Sequence, residues 1–299
     1  MKKYLPIIII VLLFLGGAGL VLYPVVSSWY MGRHQGQVIA DYDAEAAKLS
    51  QAQMEEELEK ARRYNESLLG NVVLTDPFNA EGLEEQNTEY EDLLNIGGDG
   101  VMGSVEIPGQ DIYLPIYHGT DSVSLEKGAG HLQNSSLPVG GKGTHAVISG
   151  HTALPTAELF TDLDQVEKGD VFYIHILKET LAYRVYDIET VLPEQVESLG
   201  IVQGRDLVTL VTCTPYGINS HRLLIHAERT VYDGEQGDQA AAMQKSLWQW
   251  LLSQKTFLLS AGLILIVLLY GIIRFIRRIR KNSRRKKEEA NQWSRDFSQ

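Results

Sequence analysis

Residues 207–232 read LVTLVTCTPYGINSHRLLIHAERTVY. Two β-rich runs, LVTLVTC and RLLIHAERTVY, flank a turn built around TPYG. Strands joined by a loop of that length pair antiparallel, which sets Cys213, at the end of the first, near Arg222, at the start of the second, on one rim. The same texture reaches back to Gly100. VMGSVEI, IYLPIY, THAVISG, VFYIHIL and LAYRVYDIETVL are further strand candidates, separated by Gly and Pro. Seven runs of this kind predict a closed barrel or sandwich over residues 99–232, and no internal repeat points to a solenoid.

Upstream, residues 41–69 (DYDAEAAKLSQAQMEEELEKARRYNESLL) lack Gly and Pro and place Leu49, Met54, Leu58 and Ala61 near helical spacing. That pattern predicts a helix leading to the β region. The linker GNVVLTDPFNAEG follows, and its Asp76-Pro77 step disfavours continued helix. The acidic residues 84–92 read as a short helix or a solvated stretch.

Two uncharged apolar runs lie outside this region: LPIIIIVLLFLGGAGLVLY at 5–23 and TFLLSAGLILIVLLYGII at 256–273. Each has about the 20 residues a bilayer core requires. The first is longer than a signal-peptide core and lacks a small-x-small cleavage site, so it reads as an uncleaved anchor. Lys2 and Lys3 precede it, and RFIRRIRKNSRRKK follows the second. Basic flanks stay in the cytoplasm, which puts both termini inside and the segment between them outside. The chain divides accordingly into a cytoplasmic start (1–4), a transmembrane helix (5–26), a helical arm (27–98), the β domain (99–232), a linker (233–255), a second transmembrane helix (256–273) and a basic tail (274–299) that meets anionic lipid.

The charge of the 299-residue chain is −11, but 12 of its 27 Lys and Arg lie at the two ends. Residues 24–255 hold 15 basic against 35 acidic residues, a net of −20, which excludes nucleic acid as the partner. One cysteine excludes an internal disulfide and a two-cysteine zinc site. With no phosphate loop and no metal-ligand cluster, no cofactor is expected.

A free thiol outside the cell is a liability, and Cys213 sits where a barrel presents functional side chains. Nucleophilic use requires a basic or cationic neighbour. Of eight histidines (34, 118, 131, 145, 151, 175, 221 and 226), His151 ends the run AVISG at a strand rim and His221 lies close to Cys213 in sequence. Spacing leaves both open. Arg222 is suited to donating hydrogen bonds to an oxygen that gains negative charge, or equally to a surface ion pair.

TLVTC at 209–213, followed by TPYGINSHRLLIHAER, resembles the Thr-Leu-x-Thr-Cys signature of the sortases, with the family's arginine at Arg222. ISGHTALPTAELFTDLDQVEKGD at 148–170 resembles the segment carrying their catalytic histidine, and this selects His151. YLPIYHGTDSVSLEKGAGHLQNSSLPVGG is similar to the class C, pilus-assembling members. The likeness covers about residues 70–232. It implies a mainly β fold: an eight-stranded sortase-type barrel with an N-terminal helical arm, flanked by two transmembrane helices. It also implies cysteine transpeptidation of Leu-Pro-x-Thr-Gly-type signals in pilins and surface proteins, with Cys213 as nucleophile, His151 as acid and base, and Arg222 steadying substrate or oxyanion. Asp76-Pro77-Phe78 matches the class C lid, implying Phe78 over Cys213 and Asp76 on Arg222. A housekeeping-type sortase anchoring proteins to peptidoglycan precursors is the second expectation, and a membrane-tethered β module that binds without chemistry is the third. None of the five Leu-Pro pairs begins Leu-Pro-x-Thr-Gly, so the chain reads as the enzyme and not the sorted protein.

Overall fold

The computed structural model describes residues 5–68, 74–79 and 88–232, with isolated positions between 262 and 281. It forms two compact units, Met1–Gln244 and Lys245–Gln299. The second apolar run, the basic tail and the 233–255 linker lie almost wholly outside the described residues.

Helix α1 (Leu5–Lys48) runs unbroken for 44 residues, about 66 Å at the α-helical rise. Its stretch Val11–Lys48 is the one helix among the described residues long and apolar enough to cross a membrane. Its C-terminal half serves another purpose: Ile39, Tyr42 and Ala46 are buried against the barrel. Tyr42 Oη donates to the Met102 carbonyl at 2.7 Å and accepts from the Leu177 N–H at 3.3 Å. The expected single helix over 41–69 is instead interrupted, and α2 (Gln51–Ser67) starts afresh after Ser50. The cause is a capping box: Ser50 Oγ accepts from the Gln53 N–H while the Gln53 side chain accepts from the Ser50 N–H. α2 buries Leu58, Ala61 and Asn65, and Asn65 brackets the backbone of Leu137 at 2.7 and 3.0 Å. A short α3 (Thr88–Asp92) falls within the acidic stretch and buries Tyr90.

Eight strands close a barrel: β1 (Val101–Ile107), β2 (Ile112–His118), β3 (Ala129–His131), β4 (Thr144–Ser149), β5 (Val171–Ile176), β6 (Glu179–Val191), β7 (Asp206–Thr214) and β8 (His221–Thr230). Around the barrel they run β1-β2-β3-β4-β7-β8-β6-β5. The seven strands read from sequence are present. The eighth, β3, is three residues long and follows α4 (Ser122–Lys127), whose first turn is capped by Asp121. Gly130 admits it there, because a Cβ at that position would lie 2.4 Å from the Gly119 carbonyl oxygen.

Alternation along β4, β7 and β8 divides their side chains between two apolar clusters. Ala146, Ile148, Val208, Leu210 and Ile225 join the main core. Val147, Val211 and Leu224 face the other way and form, with Leu132 and Leu199, a second cluster. Leu74 and Phe78 from the linker pack on that second cluster, as do Val191 and Val196. The face it occupies continues along β7 to Cys213, two residues beyond Val211.

Candidate active site

Cys213 and Arg222 are direct cross-strand partners in the β7–β8 ladder. The expected antiparallel pairing therefore holds, and both side chains lie on the face of the second apolar cluster. His151 lies just past the end of β4, which runs parallel to β7 with Ser149 opposite Val211. The ladder continues past the strand end: the Gly150 N–H donates to the Val211 carbonyl at 3.0 Å, and Thr212 Oγ1 donates to the Gly150 carbonyl at 2.7 Å. Two further residues along each strand bring His151 level with Cys213. Gly150 is needed at this turn, since a Cβ there would meet the Phe160 ring at 2.6 Å. Phe160 in turn donates its N–H to the His151 carbonyl at 3.0 Å, closing the loop that carries the imidazole. His221 is the neighbour of Arg222 in one strand, so its side chain projects to the opposite face; its Nδ1 meets Ser220 Oγ at 2.9 Å.

The linker segment lies across this arrangement. Arg222 Nε donates to Asp76 Oδ1 at 2.8 Å and Nη2 to Oδ2 at 2.6 Å, a bidentate pair with both side chains about nine-tenths buried. Arg222 Nη1 also donates to the carbonyls of Asn219 and His221 at 3.2 Å. Pro77 and Phe78 form the turn closed by the Asn79 N–H on the Asp76 carbonyl at 3.0 Å. The Phe78 ring is then held between two cation-capable groups. Its centroid is 5.1 Å from the Arg222 guanidinium carbon and 5.5 Å from the His151 ring centroid.

Burial pushes the Cys213 thiol above its ordinary range; Arg222 pulls it down and Asp76 pushes it further up. Burial also lowers the His151 imidazolium, against a smaller opposing effect of Glu126. Both shifts favour the uncharged forms. With the linker in place, burial thus disfavours both the thiolate and the imidazolium.

The remaining histidines have other partners. His131 is fully buried, bonded to Tyr90 Oη at 2.8 Å and to the Ser136 carbonyl at 2.8 Å, and burial lowers it to about 3. His118 meets the Gly100 and Leu93 carbonyls, and His175 meets the buried Glu106. Sequence reasoning passed over Thr212 and Gly150, which fix the height of the His151 loop. Their signal was local, a hydroxyl residue beside the cysteine and a glycine before the histidine.

A sortase-domain family model matches residues 105–230. The crystal structure of sortase C-1 from Streptococcus pneumoniae superimposes with a TM-score of 0.61 at 48% identity, covering 66% of this chain and 99% of that one. The chain belongs to the sortase family. Sortase A from Corynebacterium diphtheriae is comparable, with a TM-score of 0.61 at 41% identity over 68% of this chain and 98% of that one, and a lid mutant of it has been solved. Sortase A of Streptococcus agalactiae is 33% identical over 131 residues, which are 43% of this sortase and 52% of that protein. This sortase thus spans about half the length of the curated relatives it matches.

Proposed function

We propose that this sortase is a membrane-anchored cysteine transpeptidase of the pilus-assembling class C type. The observation that carries the class is the bidentate Asp76–Arg222 pair with Phe78 seated between Arg222 and His151. The likeness to sortase C-1 supports it, as does a related Streptococcus pneumoniae sortase C structure described in terms of pilin substrate specificity.

The chemistry follows from the geometry. Lifting the linker exposes Cys213 to water and removes Asp76, so the thiol becomes more acidic and can pass its proton to His151. The same movement frees the Arg222 guanidinium to bind the oxygen of the substrate's threonine carbonyl. Cys213 Sγ bonds to that carbonyl carbon, the bond to the glycine nitrogen breaks, and His151 gives its proton to the leaving amine. A lysine amine of a pilin subunit then attacks the thioester, His151 takes up its proton, and Cys213 leaves as thiolate. Transfer to an amine in preference to water depends on positioning, since well-oriented attack gains several orders of magnitude in effective concentration. Held closed by roughly 3 kcal/mol, the lid would lower apparent substrate affinity on the order of 100-fold.

The catalytic domain lies outside the cell, with α1 and residues 256–273 as its two membrane passes and both termini in the cytoplasm. Anchoring of surface proteins to peptidoglycan precursors is the second reading, favoured by the relatives that carry the name sortase A. The two separate in cells that make a pilin: replacing Cys213 by Ala is expected to abolish the covalent pilin ladder. A ladder that persists would exclude the polymerase role.

A further inference from the structure

On the same face of the barrel as the second apolar cluster, two residues further along the strands from Val147, Val211 and Leu224, four polar side chains lie side by side across β4, β7, β8 and β6. His145 Nδ1 is 2.8 Å from the carbonyl of Gly200, and its Nε2 is 2.6 Å from Thr209 Oγ1. The same hydroxyl is 2.8 Å from His226 Nδ1, and His226 Nε2 is 2.9 Å from Glu189 Oε1. His145, Thr209 and His226 are each at least 96% buried.

Proton counting constrains this chain. Gly200 contributes a carbonyl and Glu189 a carboxylate, so both ends can only accept. The Thr209 hydroxyl has a single proton to give between two imidazoles. Satisfying all four contacts therefore requires one proton more than two neutral histidines hold. Burial lowers His145 to about 4, which keeps it neutral, whereas His226 faces the carboxylate. Glu189 is held below the usual carboxylate range by Ser198 and then by His226, so it is ionised. The other groups around His226 are Tyr186, with ring centroids 6.1 Å apart, and Asp187 on β6, while Arg205 stacks at 4.4 Å on the outer Tyr186 ring.

We propose that His226 is an imidazolium which, through Thr209 and His145, pins the Gly200 backbone and so sets the wall of the substrate groove. Gly200 adjoins Leu199, a member of the second apolar cluster on which Phe78 and Leu74 pack. His145, Thr209 and His226 are positioning residues that act through the segment between β6 and β7. This rests on reading the face of the second apolar cluster as the substrate groove of the transpeptidase.

The test uses the full-length protein, labelled with nitrogen-15 histidine, in lipid nanodiscs at neutral pH. His226 is expected to show both ring nitrogens protonated and His145 to be the Nδ1–H tautomer. Glu189→Gln, whose amide can donate to a bare His226 Nε2, should turn His226 neutral and leave the chain intact. Thiol labelling of Cys213 should then stay within about twofold of wild type. Thr209→Val cuts the chain and should speed labelling about tenfold, by loosening the wall that seats Phe78. Two neutral imidazoles in the wild type, or unchanged labelling in folded Thr209→Val, would overturn the proposal. Spectra and labelling need no turnover, so an inactive wild type would count against the transpeptidase reading alone.

Discussion

Arg222 has one guanidinium, held here by Asp76, and the proposed mechanism asks that same group to bind an oxyanion once the linker lifts. Asp76→Ala together with Phe78→Ala is expected to raise the rate at which a small methanethiosulfonate reagent labels Cys213; an unchanged rate would remove the lid. The pH dependence carries a sign. Burial and Asp76 both push the thiol up in the closed state, and Arg222 opposes them. Opening the lid removes both upward effects and keeps the downward one, so the pH midpoint of labelling in the double variant should fall below that of wild type. A midpoint that rises would mean that Arg222 needs Asp76 to stay beside the thiol. The residues proposed as catalytic, Cys213, His151 and Arg222, came from the sequence by different routes. Cys213 and Arg222 follow from two runs and a turn, because strand pairing is local here. His151 and His221 could not be separated by spacing, since the parallel β4–β7 register that raises His151 links positions about sixty residues apart.

At the scale of elements, the loop after β4 depends on Gly150. Gly150→Ala is expected to displace Phe160 and shift His151, lowering kcat on the order of 10- to 100-fold, since small misplacements of a reacting group are costly. A thermal melt close to wild type beside that loss would locate the effect in the loop. The arm has its own attachment point: Tyr42→Phe removes two buried hydrogen bonds, and a loss of about 1–3 kcal/mol is expected in denaturant unfolding. Strand runs bounded by Gly and Pro were readable one by one. β3 was not, because Ala129–His131 has too few residues for a pattern and is a strand only through its neighbours β2 and β4. The break at Ser50 had a local signal, Ser50-x-x-Gln53, which the surrounding Ala and Glu outweighed. Asp76-Pro77-Phe78 reads locally only as a turn. Its partner lies 146 residues away, and family resemblance supplied what spacing could not. The His145–Thr209–His226–Glu189 row escaped notice for the same reason, since it exists only once four strands are in register.

For the whole molecule, one helix begins as an apolar span and ends as a buried face of the catalytic unit. A single continuous helix, with Pro24 inside it, joins the two. The proposed topology puts both basic ends inside and the net −20 segment outside; on it, a tag in residues 274–299 should resist protease added to intact protoplasts while the barrel is labelled, and digestion of the tag would refute the second pass. The measurement that bears most directly on function is mass spectrometry of the full-length protein incubated with a Leu-Pro-x-Thr-Gly peptide. An acyl adduct on Cys213 is expected in wild type, more abundant in the Asp76→Ala, Phe78→Ala protein and absent in Cys213→Ala. No adduct on Cys213 even with the lid opened would contradict the transpeptidase.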